Sequence, residues 1–406
     1  MKFKLIELNY VIDELIDNRG KNPKEYYEYS RYPVIDNYLI KNNKYPDIRN
    51  VNRYIDENTK NTFLRGHIKK DDVIITLVGN GIGNVTMVPN DNCVIIQNTL
   101  GIRCNKKMYN TFLYYTLLNN RNKLVKFDRG SSQPSIKKTD LLSFKISMPD
   151  KITQSKIINI LDCLDSKIEV NNKIIDNMEK QAQAIFKSWF IDFEPFQDGN
   201  FVESELGMIP EGWEVKKLKE LFEFKKGRKP KALHEKFEKN FIPYQVKGVI
   251  DGSENPKFTN EKKIVKIDEL DTFMLMDGAN SGNIYYGFKG ALGSTFSLLE
   301  TKDKKHDDIL YWFLKTNEPI IKNQNTGSAI PHANKDFIYS MNIAVPYNCK
   351  NDKISKVLRD FRRKIIYNNE ENKKLSEIRD ALLPRLMSGE IDVSNIKIKG
   401  EEVKNE

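Results

Sequence analysis

A chain of 406 residues, 39% hydrophobic and 30% charged, carries a formal net charge of +10. That length predicts roughly two to four domains of ~150 residues, and the positive balance favours a polyanionic partner. Four scattered cysteines (Cys93, Cys104, Cys163, Cys349) without CxxC spacing and only four histidines argue against a zinc centre or a disulfide framework. No run of about eighteen apolar residues is available to span a bilayer. Acidic residues in MKFKLIELNYVIDELIDN stand where a signal peptide needs an apolar run, so a cytoplasmic protein is expected.

In chain order the first half reads as mixed α/β. DVIITLV (72–78) and CVIIQNTLGIRC (93–104), rich in β-branched residues, predict strands. TFLYYTLLNN (111–120) predicts a short amphipathic helix and FKISMP (144–149) a further strand. The second half repeats this order with TFMLM (272–276), STFSLLE (294–300), the helix DDILYWFLKTN (307–317) and MNIAVP (341–346). The repetition extends to single residues. At an offset of 197, Gly130 falls on Gly327, Pro134 on Pro331, Pro149 on Pro346, Leu161 on Leu358 and Ala184 on Ala381. KIEVNN (167–172) falls on KIIYNN (364–369) at the same offset; VGNGIGN (78–84) meets DGANSGN (277–283) at 199, and NRGKNP (18–23) meets KKGRKP (225–230) at 207. The drift places about ten extra residues in the first copy, mostly between Gly20 and Gly79. A period this long is a duplicated domain-plus-helix unit, not a solenoid repeat.

After Pro149 and Pro346 the period becomes that of a long helix. Ile157, Leu161, Leu164, Ile168, Ile175, Met178, Ala182, Ile185 and Trp189 form a heptad seam in steps of three and four. Ile354, Leu358, Phe361, Ile365, Leu375, Leu382 and Leu386 form its twin, and both seams are interrupted by an asparagine, Asn171 and Asn368. A buried asparagine lowers stability but fixes register. Residues 152–190 span about 58 Å as a helix. If the two helices pack antiparallel about a pseudo-twofold axis, Asn171 and Asn368 meet near it and mark the centre of a spacer between two globular domains. Packing of each helix on its own domain is the plainer alternative. The expected architecture is α/β (α+β): similar globular domains at 1–150 and 197–347 (the latter with a leading linker, 197–213), helical spacers at 151–196 and 348–392, and a polar tail at 393–406.

Reaction machinery is missing from the sequence. There is no Asn/Asp-Pro-Pro-aromatic tetrapeptide, no Walker P-loop and no HExxH helix. GNGIG (79–83) lacks a following helix and reads as a tight turn, not a cofactor loop. No catalytic and no metal residues are assigned. Basic and polar loops remain: KKGRKPK (225–231) with Lys225, Lys226, Arg228 and Lys229, and the twins DRGSSQPSIKK (128–138) and TGSAIPHANK (326–335) with Arg129, Ser131, Ser132, Gln133, Lys137, Lys138, Ser328, His332 and Lys335. Lys and Arg neutralise phosphates, and Arg, Gln and Ser can also read base edges. A solvated surface explains a single charge run equally well, and the twin loops can equally be structural turns into the long helices.

FKSWFIDFEP (186–195), GMIPEGWEVKKL (207–218) and LLPRLMSGEIDV (382–393) bring the chain close to a family. It resembles, over essentially its whole length, the specificity (S) subunit of type I restriction–modification enzymes. The resemblance implies a non-catalytic reader of double-stranded DNA, each α/β region recognising one half of a bipartite asymmetric site. The helices would set the gap and dock two modification subunits, with restriction subunits completing the complex. S-adenosylmethionine, ATP and Mg would then sit on partner subunits and none in this chain. Docking predicts apolar residues left over beside the seams, for which Ile158, Ile174, Phe186, Phe190, Ile366 and Leu383 are candidates; such residues can equally cover the domain's own base. The alternatives are the specificity subunit of a related bipartite methyltransferase-nuclease system, or a single-chain DNA methyltransferase or nuclease with divergent motifs.

Overall fold

Val73, Ile74 and Ile75 are consecutive and all fully buried. Successive strand residues point to opposite faces, so such a run requires a sheet covered on both sides. The computed structural model, which describes residues 2–128, 133–327, 330–347 and 353–396, meets that requirement twice. It divides into two units, Met1–Glu169 with Asn372–Glu406, and Val170–Glu371.

In the first unit β1 (Lys4–Glu7) leads through a 3-10 turn into β2 (Ile12–Ile16). β3 (Tyr32–Pro33) and β4 (Tyr54–Ile55) make a short antiparallel ladder. β5 (Val73–Thr76), β6 (Val85–Met87) and β7 (Thr99–Cys104) join β2 in an antiparallel sheet of order β2-β7-β5-β6. Helices α1 (Asn110–Asn119), α2 (Arg121–Val125) and α3 (Lys138–Leu142) precede β8 (Lys145–Met148), which returns antiparallel to β1 with Ile146 opposite Ile6. The chain then enters α4 (Lys151–Phe190). Val73 and Ile75 face a core built with α1, whereas Ile74 faces a smaller cluster with Ile16, Ile35, Ile40 and Ile68.

The second unit repeats the plan after an added hairpin, β9 (Phe201–Ser204) and β10 (Gly207–Pro210). β11 (Trp213–Lys217) and α5 (Leu218–Leu221) lead to β12 (Phe222–Lys226). Next come β13 (Ile242–Gln245), α6 (Lys247–Ile250), β14 (Phe258–Thr259) and β15 (Lys266–Ile267). β16 (Phe273–Leu275), β17 (Ile284–Tyr285), β18 (Gly290–Leu292) and β19 (Phe296–Thr301) complete the sheets. α7 (Asp307–Thr316), α8 (Glu318–Asn323), α9 (Lys335–Ser340), β20 (Asn342–Pro346) and α10 (Lys353–Ser388) close the unit. The main sheet has the order β12-β19-β16-β17, the counterpart of β2-β7-β5-β6, and β11 pairs with β20 as β1 does with β8. Met274 faces the α7 core while Phe273 and Leu275 face the second cluster. Ile16 and Val73 are separated by 56 residues, Lys226 and Phe273 by 46, so the ten-residue excess of the first copy lies where the sequence places it.

Two readings need correction. CVIIQNTLGIRC is a strand only from Thr99: Asn98 has a positive φ of 68°, which breaks the extended run, and Val94 makes an isolated parallel bridge to Val34. The buried stripe at the end of α4 is Ala182, Phe186 and Phe190, not Met178, Ile185 and Trp189, which are half-buried. Steps of four rotate by about 40° each, so Ala182, Phe186 and Phe190 stay within the broad apolar face of about 100° that a core-facing helix buries.

Both units contain antiparallel segments of the two long helices. In the first, Lys156 donates to the Ser394 carbonyl (2.6 Å) and Arg379 to Asp165 (2.8 Å), so one helix number rises as the other falls. Ile157, Leu161, Leu383, Leu386 and Met387 complete the core of Val73 and Ile75. In the second, Asn171 donates to Glu371 (2.7 Å), and Phe186 and Phe190 share a core with Ile354 and Leu358. Asn171 and Asn368 are both buried.

Charges at matched positions are inverted between the copies. Asp162 and Asp165 on α4 correspond, at the offset of 197, to Arg359 and Arg362 on α10. Asp165 accepts from Arg379 and from the Tyr115 hydroxyl (2.7 Å); burial first, then the Asp165 charge, hold that hydroxyl far above its ordinary range. Asp162 pairs with Lys44. Arg362, wholly buried, bonds Asp308 (3.0 Å) and the Leu270 carbonyl (2.7 Å), and its guanidinium carbon lies 4.6 and 4.5 Å from the Tyr286 and Tyr311 rings. Arg359 donates to the other Asp308 oxygen (2.8 Å). Removing one member of a buried pair strands its partner's charge, at about 3–5 kcal/mol. Arg362→Ala is therefore expected to lower stability to urea by about 3–5 kcal/mol; a loss below about 1 kcal/mol would mean that Arg359 alone satisfies Asp308.

Candidate nucleic-acid interface

Three segments far apart in sequence converge in each unit. In the first, β5 runs into the turn Gly79–Gly83, whose three glycines all have positive φ. Glycine adopts that backbone without steric cost. The Gly79 amide donates to the Pro134 carbonyl (2.8 Å) and the Ile136 amide to the Leu77 carbonyl (2.8 Å), laying Gln133–Lys138 along the turn. The Asn37 side chain donates to the Val78 carbonyl (2.9 Å). Lys138 Nζ lies 3.6 Å from Asp17, and Arg19 grips both oxygens of the same carboxylate (2.8 and 2.7 Å). The Arg19 hydrogen bonds hold the Asp17 carboxyl down at about 2. Gln133 and Lys137 are exposed.

The second unit builds the same arrangement with different side chains. The Gly278 amide donates to the Pro331 carbonyl (2.9 Å) and the Ala333 amide to the Met276 carbonyl (2.9 Å). Asp277 and His332 bridge through the backbone, and His332 Nδ1 lies 2.8 Å from the Asp277 carboxylate. Lys335 sits 5.4 Å over the Phe224 ring, at the strand that opens KKGRKP. Residues Phe224–Arg228 and Lys263–Val265 line a shallow cleft of about 710 Å³. Its tight wall depends on Gly227, where a Cβ would come within 2.1 Å of the Gly293 carbonyl. Lys225 pairs with Glu300 (2.9 Å), whereas Lys226, Arg228 and Lys229 are exposed.

The structure thus brings Lys138 to Asp17 at the start of the first copy and Lys335 to Phe224 in the second, while Gln133 lies beside Gly79 and His332 against Asp277. Arg129, Ser131, Ser132 and Ser328 lie outside the described residues. Sequence reasoning missed Asp17 with Arg19, Lys263, and the tyrosines of YYEYSRYP (26–33), of which Tyr27 and Tyr29 are exposed. That run, dense in aromatics and containing Arg31, was the available signal.

Four of the six apolar docking candidates, Phe186, Phe190, Ile366 and Leu383, are buried within the units themselves. Phe186 and Phe190 stack on one another at 5.1 Å, and Phe190 packs on Trp213; both belong to the core of the second unit. Leu383 is buried in the core of the first unit, and Ile366 is buried beside Gly287. Ile158 is partly buried against its own core and Ile174 is half-buried. The helices cover stripes wider than a two-position seam, so off-seam residues are consumed by the domain. The exposed apolar residues on the helices are others, including Ile152, Val170, Val357, Tyr367 and Ile378.

Among the described residues no group of three or more His, Cys, Asp or Glu could hold a metal ion. No helix among them is long and apolar enough to cross a membrane.

Known proteins echo the two-unit plan. The family model described as type I restriction modification DNA specificity domain matches residues 4–180 and 210–377. The MjaVIII and MjaIX specificity subunits of Methanocaldococcus jannaschii are 32% and 30% identical over 48% and 66% of the chain. The chain spans 46% and 65% of those two relatives. The HindI specificity subunit of Haemophilus influenzae is 26% identical over 80% of the chain and 87% of its own length. Among solved structures, the type I restriction-modification S subunit from M. genitalium shares the fold, with a TM-score of 0.57 at 17% identity over 95% of this chain and 96% of that one.

The Asp17 geometry makes a pH prediction. The folded carboxyl titrates near 2 against an ordinary 3.8, so its stabilising contribution is complete above that ordinary value and is lost as pH falls through about 2. Asp17→Asn should therefore destabilise the chain near pH 6, with the difference from the parent shrinking between about pH 4 and pH 2. Parallel urea titrations across that range check it.

Proposed function

Since the chain belongs to the type I restriction modification DNA specificity domain family and carries two copies of that domain, we propose that it is the DNA-reading specificity subunit of a restriction–modification complex, each unit reading one half of a bipartite site. The observation that carries this reading is the repeated convergence of three loops, alike in backbone and different in side chains. The Gly79–Pro134 and Gly278–Pro331 hydrogen bonds are the same, whereas Lys138 stands near Asp17 in one copy and Lys335 over the Phe224 ring in the other. A common scaffold presenting unlike polar groups gives two half-sites of unlike sequence.

The long helices set the gap between half-sites, and their exposed apolar residues receive the modification subunits. Two such subunits and the restriction subunits complete the complex, with S-adenosylmethionine, ATP and Mg held on those partners. This chain supplies position and sequence choice and performs no bond-breaking step. Methylation of a base requires the base out of the stack, so the enzyme that does it must be held at a fixed step of the duplex.

Two outcomes are expected. Co-expression with its modification partner in a methylation-free host, followed by single-molecule sequencing, should reveal one new asymmetric motif of two short half-sites with a fixed gap. A stable complex that leaves no methylated motif overturns the reading. In salt titrations of that complex on a duplex, Lys137→Ala or Lys226→Ala should each reduce the slope of log K against log salt by about 1, with loss of affinity alike on cognate and unrelated sequence. An unchanged slope removes the residue from the phosphate-contacting set.

A further inference from the structure

Two aromatic rings stand out of the protein at matching places. Tyr29 is 87% exposed and Phe237 is 66% exposed. Each follows a backbone bridge to the strand that closes the small ladder of its unit. In the first, Tyr27 and Tyr54 exchange both amide hydrogen bonds (3.0 Å each); in the second, His234 and Phe258 do the same (2.9 and 2.8 Å). Tyr54 and Phe258 are also the residues opposite Pro33 and Pro243 in the two ladders, so they are structural equivalents. The exposed ring lies against that equivalent ring in both cases: Tyr29 at 5.7 Å from Tyr54 with 46° between planes, Phe237 at 5.5 Å from Phe258 with 71°.

Sequence alignment does not account for the match. At the local offset of 207 Tyr29 falls on Lys236, not on Phe237. The chain between the bridge and the next strand differs in length and composition, yet both copies return an aromatic ring to the same ledge. A large ring left in water and repeated in two diverged domains points to a surface that meets another molecule.

From this we propose that Tyr29 and Phe237 are the aromatic tips with which the two units touch the bases of their half-sites, each ring inserting against a base step. The proposal rests on the DNA-reading function above. Charge selects nucleic acid as the occupant: residues 225–239 hold seven basic against two acidic side chains, and 19–31 hold four against two. A ring pre-seated on a second ring loses little freedom on contact, and apolar wedges of this kind partly unstack the step they enter. The ledge rings anchor the tips to the ladder, so the contact is held by strand pairing and not by a free loop.

The test uses the complex of the full chain with its modification partner and duplexes carrying 2-aminopurine at successive positions of the mapped site. Wild type should raise 2-aminopurine fluorescence at one step in each half-site. Tyr29→Ala should abolish the rise in one half-site and Phe237→Ala in the other, each weakening specific binding about tenfold or more. Tyr29→Phe should behave as wild type, because the ring and not the hydroxyl makes the contact. Unchanged thermal unfolding of the alanine variants shows that the exposed rings do not support the fold. If both alanine variants bind and perturb the site as wild type does, the tips are not base contacts and the proposal falls while the reader function stands. If they fail to assemble with the partner, the rings belong to a protein interface and the proposal is overturned. If wild type itself discriminates no duplex, the reader function fails first.

Discussion

Each core is closed by helical residues that reach it from two distant parts of the chain. Ile157 and Leu161 arrive on α4, Leu383, Leu386 and Met387 on α10, and they join the α1 residues in the core that Val73 and Ile75 face. Burying a side chain of this size contributes about 1.5–3 kcal/mol, so neither helix segment is dispensable. The second core has the same dependence, with Phe186 and Phe190 meeting Ile354 and Leu358. The helices are therefore structural parts of the units before they are spacers. Their apolar stripes face inward, which is why residues that look superfluous on a heptad wheel are unavailable to a partner.

The inverted charges show how one scaffold tolerates two solutions. Where α4 places Asp162 and Asp165, α10 places Arg359 and Arg362, and the surroundings have changed sign to match: Lys44 and Arg379 against the carboxylates, Asp308 against the guanidiniums. A buried ion pair is weak evidence for stability because desolvation offsets most of the attraction. Its retention with exchanged signs means that the position must be polar and paired, while either sign will serve. Arg362 goes further, with two tyrosine rings flanking its guanidinium, a use for which lysine is a poor substitute.

Much of the architecture was legible in the sequence. The duplication, the long helices and the excess residues of the first copy follow from offsets and periodicity, because these record local rules. The order of strands in the main sheets was not legible: β7 lies between β2 and β5 through pairings that span up to some ninety residues, and nothing local encodes them. The strand that begins at Thr99 was extended back to Cys93 because an asparagine in the left-handed region looks the same in sequence as one in a ladder. Of the polar loop residues, Lys138 and Lys335 could be named but not their neighbours Asp17 and Phe224, since each pairing crosses more than a hundred residues. The aromatic tips were hidden for a different reason: Tyr29 and Tyr32 are three residues apart in one run, yet one is exposed and the other buried, and composition does not distinguish them.

The participation of residues 372–393 in the first unit also orders events during synthesis. A ribosome delivers every strand of that unit within the first 148 residues, but Leu383, Leu386, Met387 and Val393 emerge only after the whole second unit has been made. The nascent first unit must wait with its core incomplete, while the second unit, contiguous from Val170 to Glu371, already has all of its parts. The later-translated half is thus the first that can finish folding.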